Sequence, residues 1–343
     1  MGVEVTSFHE KVTILFHILE RCNLRCSHCF IRAKKTSTNE ISFDKIREVL
    51  TDVKHMNVDY VAFTGGEVTL RADFLDILHL AKEVGIRTCF VTNGTCIDSD
   101  LAAGLRNLTS DVLVSVDGPQ EFHDRFRGMH GAFDKTMQGI ECLKQYDVPF
   151  SLQFTVTKES WRFIDWIVER AVSLGASGLK LEPLIQMGRA AELSNQQLNP
   201  QELYQLYLKT MEAYGKFLWS KTNILVGLYS TAVLKEHPCN AYACFGEQCH
   251  RKATTEPREI IIMPNGDMVP IHVGMHPSYY LGNIYNGGFD NVFKEYMGGE
   301  KNVQFIKLCR YVYDTYVVGY QYPVIAWSDL LALESNRFEK KVG

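Results

Sequence analysis

Arg21-Cys22-Asn23-Leu24-Arg25-Cys26-Ser27-His28-Cys29-Phe30 follows directly on the apolar run Val12–Leu19. The run reads as a buried strand, so the C-x3-C-x2-C spacing falls on the loop that leaves its carboxyl end. Three thiolates this close in sequence can hold three corners of a cubane [4Fe-4S] cluster and leave one iron without a protein ligand. Electron-transfer clusters normally carry four cysteine ligands, so three point to chemistry at an open iron. Spacing alone keeps two other readings open. A zinc site needs a fourth ligand; His28 is at hand, but it lies between two of the cysteines and would strain the loop. Inert thiols are the third reading, while a disulfide would leave one thiol over.

Outward from this loop, strand-like and helix-like runs alternate. Strands are expected at 12–19, 60–63, 88–91, 112–116, 151–156 and 178–181. Helical patterns lie between them, the first opened by Ser42 as a hydroxyl N-cap, with others at 73–84, 98–105, 132–146 and 160–174. Such alternation predicts parallel βαβ units with right-handed crossovers. The class is therefore α/β, either a partial barrel of six strands or a doubly wound open sheet. In both, chemistry gathers at the carboxyl ends of the strands.

Further motifs sit at or just beyond those ends. They are Thr64-Gly65-Gly66-Glu67, Val91-Thr92-Asn93-Gly94-Thr95, Val114-Ser115-Val116-Asp117-Gly118-Pro119, His123-Asp124-Arg125-Phe126-Arg127-Gly128 and Met187-Gly188-Arg189-Ala190. With the cysteine loop, in this order, the chain resembles the radical S-adenosylmethionine (SAM) superfamily over about residues 10–190. The resemblance implies a partial (β/α)6 TIM-type barrel whose cluster, held by Cys22, Cys26 and Cys29, binds SAM at its open iron. An electron from the cluster would cleave SAM to methionine and a 5′-deoxyadenosyl radical, which removes a hydrogen atom from substrate. It also implies roles around the cofactor. Gly65 and Gly66 allow close backbone approach, and Glu67 helps receive the methionine ammonium. Ser115 and Asp117 bond the ribose or methionine moiety, and Arg127 pairs with the methionine carboxylate. Phe30 flanks the adenine, and Asn93 and Gln153 are second-rank contacts.

The pattern changes after Ala190: a polar loop, a long helical stretch at 201–218, the cysteine-bearing segment 238–249, then a hairpin with Asn265-Gly266 as its turn. This part resembles the SPASM/twitch extension of radical SAM peptide maturases and sugar-modifying relatives, in degenerate form, since Ile271 stands where that extension has a cysteine. A barrel over 1–195 and an extension over 196–343 are expected. Cys239, Cys244 and Cys249 are expected either to ligate one auxiliary iron–sulfur cluster, with Cys309 as fourth ligand, or to include a thiol, Cys249, that delivers a hydrogen atom to a substrate radical; inert thiols are the third reading, and His250, His272 and His276 nearby are candidates to bind substrate or metal. Cys89 and Cys142 read as core fillers, and Cys96 has no assignment.

The chain has 343 residues, 46% hydrophobic and 22% charged, with a net charge of -4. That supports sizeable cores. No long basic run suggests nucleic acid, no run reaches membrane-spanning length, and no secretion signal is visible. Gly2 and Thr6 fit a myristoylation pattern with no polybasic support. Ten cysteines without a secretion signal point to a reducing cytoplasm.

The leading expectation is a radical SAM enzyme acting on a small natural-product-type molecule, a sugar or aminoglycoside, by epimerisation, dehydration, decarboxylation or oxidation. A flavodoxin or ferredoxin would supply the electron. A peptide maturase is the alternative; only about ten residues precede the first strand, which leaves no room for a leader-binding domain. A non-catalytic iron–sulfur scaffold is the third reading.

Overall fold

The computed structural model describes residues 12–56, 58–236 and 257–342. The first half runs β1 (Val12–Leu19), α1 (Phe43–Val53), β2 (Val58–Gly65), α2 (Phe74–Val84), β3 (Thr88–Thr92), α3 (Ser99–Leu105), β4 (Asp111–Ser115), α4 (Gln120–Arg127), α5 (Ala132–Gln145), β5 (Phe150–Val156), α6 (Ile164–Leu174) and β6 (Gly178–Pro183). The six expected strands are all present. Ser42 caps α1 by accepting from the Lys45 amide, which satisfies one of the helix's orphan donors. The polar α4 is not among the expected helices. Its amphipathic character is confined to Phe122, His123, Phe126 and Arg127, which are buried.

The second half continues α7 (Pro200–Lys216), β7 (Asn223–Val226), β8 (Tyr229–Ser230), α8 (Thr231–Glu236), β9 (Glu259–Ile262), β10 (Asp267–Pro270), β11 (Gly282–Asn283), α9 (Gly288–Gly298), α10 (Glu300–Tyr316), β12 (Val324–Ile325) and α11 (Trp327–Val342). Neighbours in the main sheet run β11-β10-β9-β1-β2-β3-β4-β5-β6-β7. β1 through β7 are parallel, and β9 adds to β1, also parallel, with Thr13 opposite Glu259. β9 and β10 form the expected hairpin, whose Gly266 takes φ +88° as the turn requires.

The sheet is curled. β6 and β9 lie six steps apart in it, roughly 29 Å if the sheet were flat. Yet the Lys180 ammonium on β6 is raised by the charge of Glu259 on β9, an influence that such a distance would screen away. With β7 and β11 at its ends the barrel stays open.

Strand alternation divides the two faces. Ile14, Phe16, Ile18, Val61, Phe63, Phe90, Val112, Val114, Leu152 and Phe154 pack outward against the helices. Phe74 of α2 meets the rings of Phe63 and Phe90 at 6.4 and 5.0 Å. Each such buried ring contributes about 1.5–3 kcal/mol. A second core joins Ile261 and Val269 of the hairpin to Phe305, Leu308 and Val312 of α10 and to Trp327. Cys309 belongs to that core and is fully buried. Burial pushes its thiol well above the ordinary range; the cysteines expected to share an auxiliary cluster with it lie outside the described residues.

Candidate functional site

The cysteine loop leaves β1 and is clamped from two sides. On one side the Arg25 and Ser27 amides donate to the carbonyls of Arg127 (3.3 Å) and Phe126 (2.9 Å). On the other the Arg189 amide donates to Cys29 O (2.9 Å), its Nε to Cys26 O (2.7 Å) and its Nη1 to Ala33 O (2.9 Å). Two glycines make these approaches possible. A Cβ on Gly128 would stand 2.6 Å from Arg25 O, and one on Gly188 would stand 2.4 Å from Phe30 O and 2.5 Å from Cys29 O. The recurrent motifs at 123–128 and 187–190 are thus jaws that hold the loop. Arg189 was missed as a site residue; its side chain binds only backbone carbonyls, which no sequence pattern reports.

The three thiols are free. Burial pushes Cys22 up to about 12 and Cys26 up to about 11. The neighbouring thiols add to both shifts, so the three oppose one another's ionisation. A metal core that takes all three as thiolates reverses that opposition. Two backbone amides already face sulfur: Leu24 N–H at 3.4 Å from Cys22 Sγ and Ala33 N–H at 3.3 Å from Cys29 Sγ. Among the described residues no three His, Cys, Asp or Glu side chains converge as a single-ion site. His28, the candidate zinc ligand, stacks on Phe126 with centroids 4.1 Å apart and its Nε2 3.6 Å from Asp117. Three spaced thiols therefore suit a cluster better than zinc. Gly188→Ala is expected to cut iron retained after anaerobic reconstitution by more than half at unchanged secondary structure; full retention, read by iron assay and circular dichroism, would show the jaw to be dispensable.

Gly65 and Gly66 bring the end of β2 onto the root of this loop. Gly65 has φ +142°, and a Cβ on Gly66 would lie 2.0 Å from Arg21 O. Gly66 N–H donates to Leu19 O and Glu67 N–H to Arg21 O, both at 2.8 Å. Glu67 is 1% exposed. Its Oε1 accepts from the Thr69 amide and hydroxyl and the Thr92 hydroxyl, its Oε2 from the Asn93 amide, at 2.7–3.2 Å. These bonds tie the end of β2 to that of β3, and Oε2, which accepts a single bond, keeps acceptor capacity for a further donor.

Asn93 likewise serves the loop. Its Nδ2 donates to Asn23 Oδ1 (2.9 Å), and Asn23 Nδ2 donates to Thr95 Oγ1 (2.8 Å) and Cys96 Sγ (3.4 Å). Asn23 is a second residue that sequence reasoning missed, for its partners lie some seventy positions away.

Asp117 and Arg127 pair with each other. Arg127 Nε and Nη2 lie 2.8 and 2.7 Å from Asp117 Oδ2, with side-chain exposures of 7% and 0%. The Thr155 amide donates to Asp117 Oδ1 at 3.0 Å. Burial alone would raise the Asp117 carboxyl, but Arg127, His28 and His123 outweigh it and hold it at about 2. Burial in turn holds both histidines down at about 4. The two charges neutralise each other in the core.

Ser115 and Gln153 are register partners on β4 and β5, half-exposed on the concave face near the barrel mouth. Phe30 is half-buried, edge-on to His17 at 6.2 Å. His17 is 1% exposed with no partner for Nδ1 and held at about 4 by burial; nothing in its sequence context marks it. Cys239, Cys244, Cys249 and His250 lie outside the described residues. His276 caps a short helical turn through Ser278.

Residues 16–167 match the family described as the radical SAM superfamily. Fe-coproporphyrin III synthase of Methanosarcina barkeri is 32% identical over 56% of this chain and 49% of its own. The AdoMet-dependent heme synthase of Oleidesulfovibrio alaskensis is 33% identical over 55% and 50%. The chain thus spans about half the length of these curated relatives. Mycofactocin maturase MftC of Mycolicibacterium smegmatis is 27% identical, but over 82% of this chain and 70% of its own. Among solved structures, Streptococcus suis SuiB bound to precursor peptide SuiA superposes with TM-score 0.66 at 16% identity, over 85% of this chain and 66% of SuiB. Native anSMEcpe with AdoMet and Kp18Cys peptide gives 0.66 at 20% identity, over 97% and 98%. At these identities the likeness is one of fold, a partial barrel.

Proposed function

We propose that this chain, whose residues 16–167 match the radical SAM superfamily, is an iron–sulfur, SAM-dependent enzyme whose substrate is a peptide. The clamped loop of Cys22, Cys26 and Cys29 is the observation that carries the chemistry: those thiols would hold a [4Fe-4S] cluster with one iron open to SAM. Together, cluster and SAM supply one-electron cleavage of a carbon–sulfur bond and hydrogen-atom abstraction from substrate. This chain's own residues fix the place. Arg189 and the Phe126–Gly128 backbone hold the thiols, and Gly65 and Gly66 bring β2 against the loop. Glu67 and Asn93 lock the strand ends beneath it. Ser115, Gln153 and Phe30 would meet the cofactor from the barrel mouth.

The expectation of a sugar gives way to its peptide alternative. The two synthases are named for tetrapyrroles and MftC for maturation, none of the three for a sugar. The tetrapyrrole matches cover only about 55% of this chain, whereas the maturase match covers 82%. We take the short match as shared SAM chemistry and the long one as shared substrate-side architecture. The division into a barrel (1–195) and an extension (196–343), a reducing flavodoxin- or ferredoxin-like partner, and auxiliary-cluster or hydrogen-donor roles for Cys239, Cys244 and Cys249 belong to the same proposal.

The test is anaerobic incubation with SAM and dithionite, following 5′-deoxyadenosine while a random-sequence peptide library, iron coproporphyrin III or an aminoglycoside is added. Stimulation by peptides, with a mass change in the responding peptide, is the expected outcome. Stimulation by the porphyrin or the aminoglycoside alone would overturn the peptide assignment.

A further inference from the structure

The stretch that carries the thiols is one-sided in charge. Residues 21–35 hold Arg21, Arg25, Arg32, Lys34 and Lys35 and no acid, in a chain of net charge -4. Overall composition therefore does not explain it. The fold keeps these cations at the loop. Arg25 directly precedes Cys26. The Arg32 amide donates to Cys29 O (3.3 Å), and the Cys22 amide donates to Lys34 O (2.8 Å). The backbone is thus tied to thiol-bearing residues, while the side chains of Arg25, Arg32, Lys34 and Lys35 are exposed. Arg32 stands at φ +53°, a conformation costly for a residue with a long side chain. Among the described residues Arg25 and Lys35 have no ion pair. Glu192 meets Arg32 and Glu20 meets Lys34, with 60% and 64% of the basic side chains still accessible. Pairs so exposed hold little energy and yield to a partner.

A groove of about 540 Å³ opens beside the same loop, walled by α4 and the turn that follows it, with the exposed Arg125 and His130 in its lining. Arg25 adjoins it at Gly128, where a Cβ would stand 3.6 Å from Arg25 Cβ. Met129 lines the groove and packs against the apolar group of Cys22, Leu24 and Ala33. A single side chain therefore stands between the groove and the packing around the Cys22 thiol. The acids here are mostly engaged. Asp124 accepts from the Gly131 and Phe133 amides at 2.6 and 2.8 Å, one to each oxygen. Among the described residues Glu121 alone of the lining acids has no partner.

A cluster held by this loop needs an electron from outside the chain. Electron transfer asks two redox centres to approach closely and to part again after each transfer. Small, charge-steered interfaces serve such encounters. A basic face at the thiols draws an acidic surface to the place where approach is useful. Its position, and not its charge alone, favours a redox carrier over another anion. We propose that the basic side of the cysteine loop, with the groove at Met129, docks an acidic one-electron carrier protein of the flavodoxin or ferredoxin type. The carrier gives up one electron and the cluster takes it; no atom passes between them. This rests on the reading of the loop as a cluster site and deepens it by saying where the reductant binds.

The test is calorimetric titration of the reconstituted full chain, without SAM or substrate, by oxidised flavodoxin and by a basic cytochrome c as the charge-reversed carrier. Flavodoxin is expected to bind, more weakly as salt is raised, and cytochrome c not. Arg25→Glu with Lys35→Glu is expected to weaken flavodoxin binding by about tenfold. Lys54→Glu with Lys82→Glu makes the same change in net charge at the far end of the barrel, where α1 and α2 lead back into β2 and β3. That pair is expected to change binding by less than about twofold. If the first double variant retains less iron than wild type, Lys35→Glu alone repeats the test with a smaller expected loss. No binding of flavodoxin, binding that salt leaves unchanged, equal losses in the two double variants, or equal binding of cytochrome c would each overturn the proposal. No SAM is cleaved in any of these titrations, so a failed docking test leaves the cluster reading standing, and failure of that reading shows in the iron content instead.

Discussion

Asp117→Asn is expected to lower the unfolding free energy by about 3–5 kcal/mol, the cost of leaving one partner of a buried ion pair without the other. The asparagine can still accept from the Thr155 amide. It cannot neutralise Arg127, whose guanidinium is 7% exposed. The nearby rings offer no substitute charge, since burial keeps His28 and His123 neutral at neutral pH. The disturbance would travel, because the carbonyls of Phe126 and Arg127 are the ones that hold Ser27 and Arg25. Replacing both partners, Asp117→Asn with Arg127→Leu, should recover part of the loss, and urea unfolding of the four proteins gives the coupling directly. A loss below about 1 kcal/mol in the single variant would contradict the buried-pair account. The pH dependence has a fixed sign. The folded carboxyl sits at about 2, below its ordinary 3.8. Its contribution is complete above about 4 and is lost as pH falls toward 2. Asp117→Asn should remove that part of the acid limb.

The barrel was legible because each βα unit declares itself locally. The strands alternate with amphipathic runs, Ser42 caps α1, and Asn265-Gly266 turns the hairpin. What stayed hidden was non-local. Nothing in the stretch around Glu259 states that it adds to β1 opposite Thr13. Without that pairing the apolar positions of α10 and α11 have no visible core to join. The candidate site divides in the same way. The cysteine loop was plain from its spacing, since the three cysteines lie within eight residues. The protein partners of Glu67, Asp117 and Arg127 were not, because a motif letter does not tell which side chains the fold brings to a charge. Glu67 meets Thr92 and Asn93, and Arg127 meets Asp117, contacts that only the folded chain brings about.

The loop itself carries the largest functional effect. Alanine at Cys22, Cys26 and Cys29 removes every thiol that the two jaws present, while Arg189, Gly128 and Gly188 bind backbone atoms and can still hold the emptied loop. The fold should survive and the chemistry should not. The decisive measurement is iron and labile sulfide per chain after anaerobic reconstitution, with 5′-deoxyadenosine formed from SAM under dithionite, in wild type and in this triple variant. The account predicts a loss of about four irons per chain and no 5′-deoxyadenosine in the variant. Wild-type iron content and undiminished 5′-deoxyadenosine in the variant would contradict it.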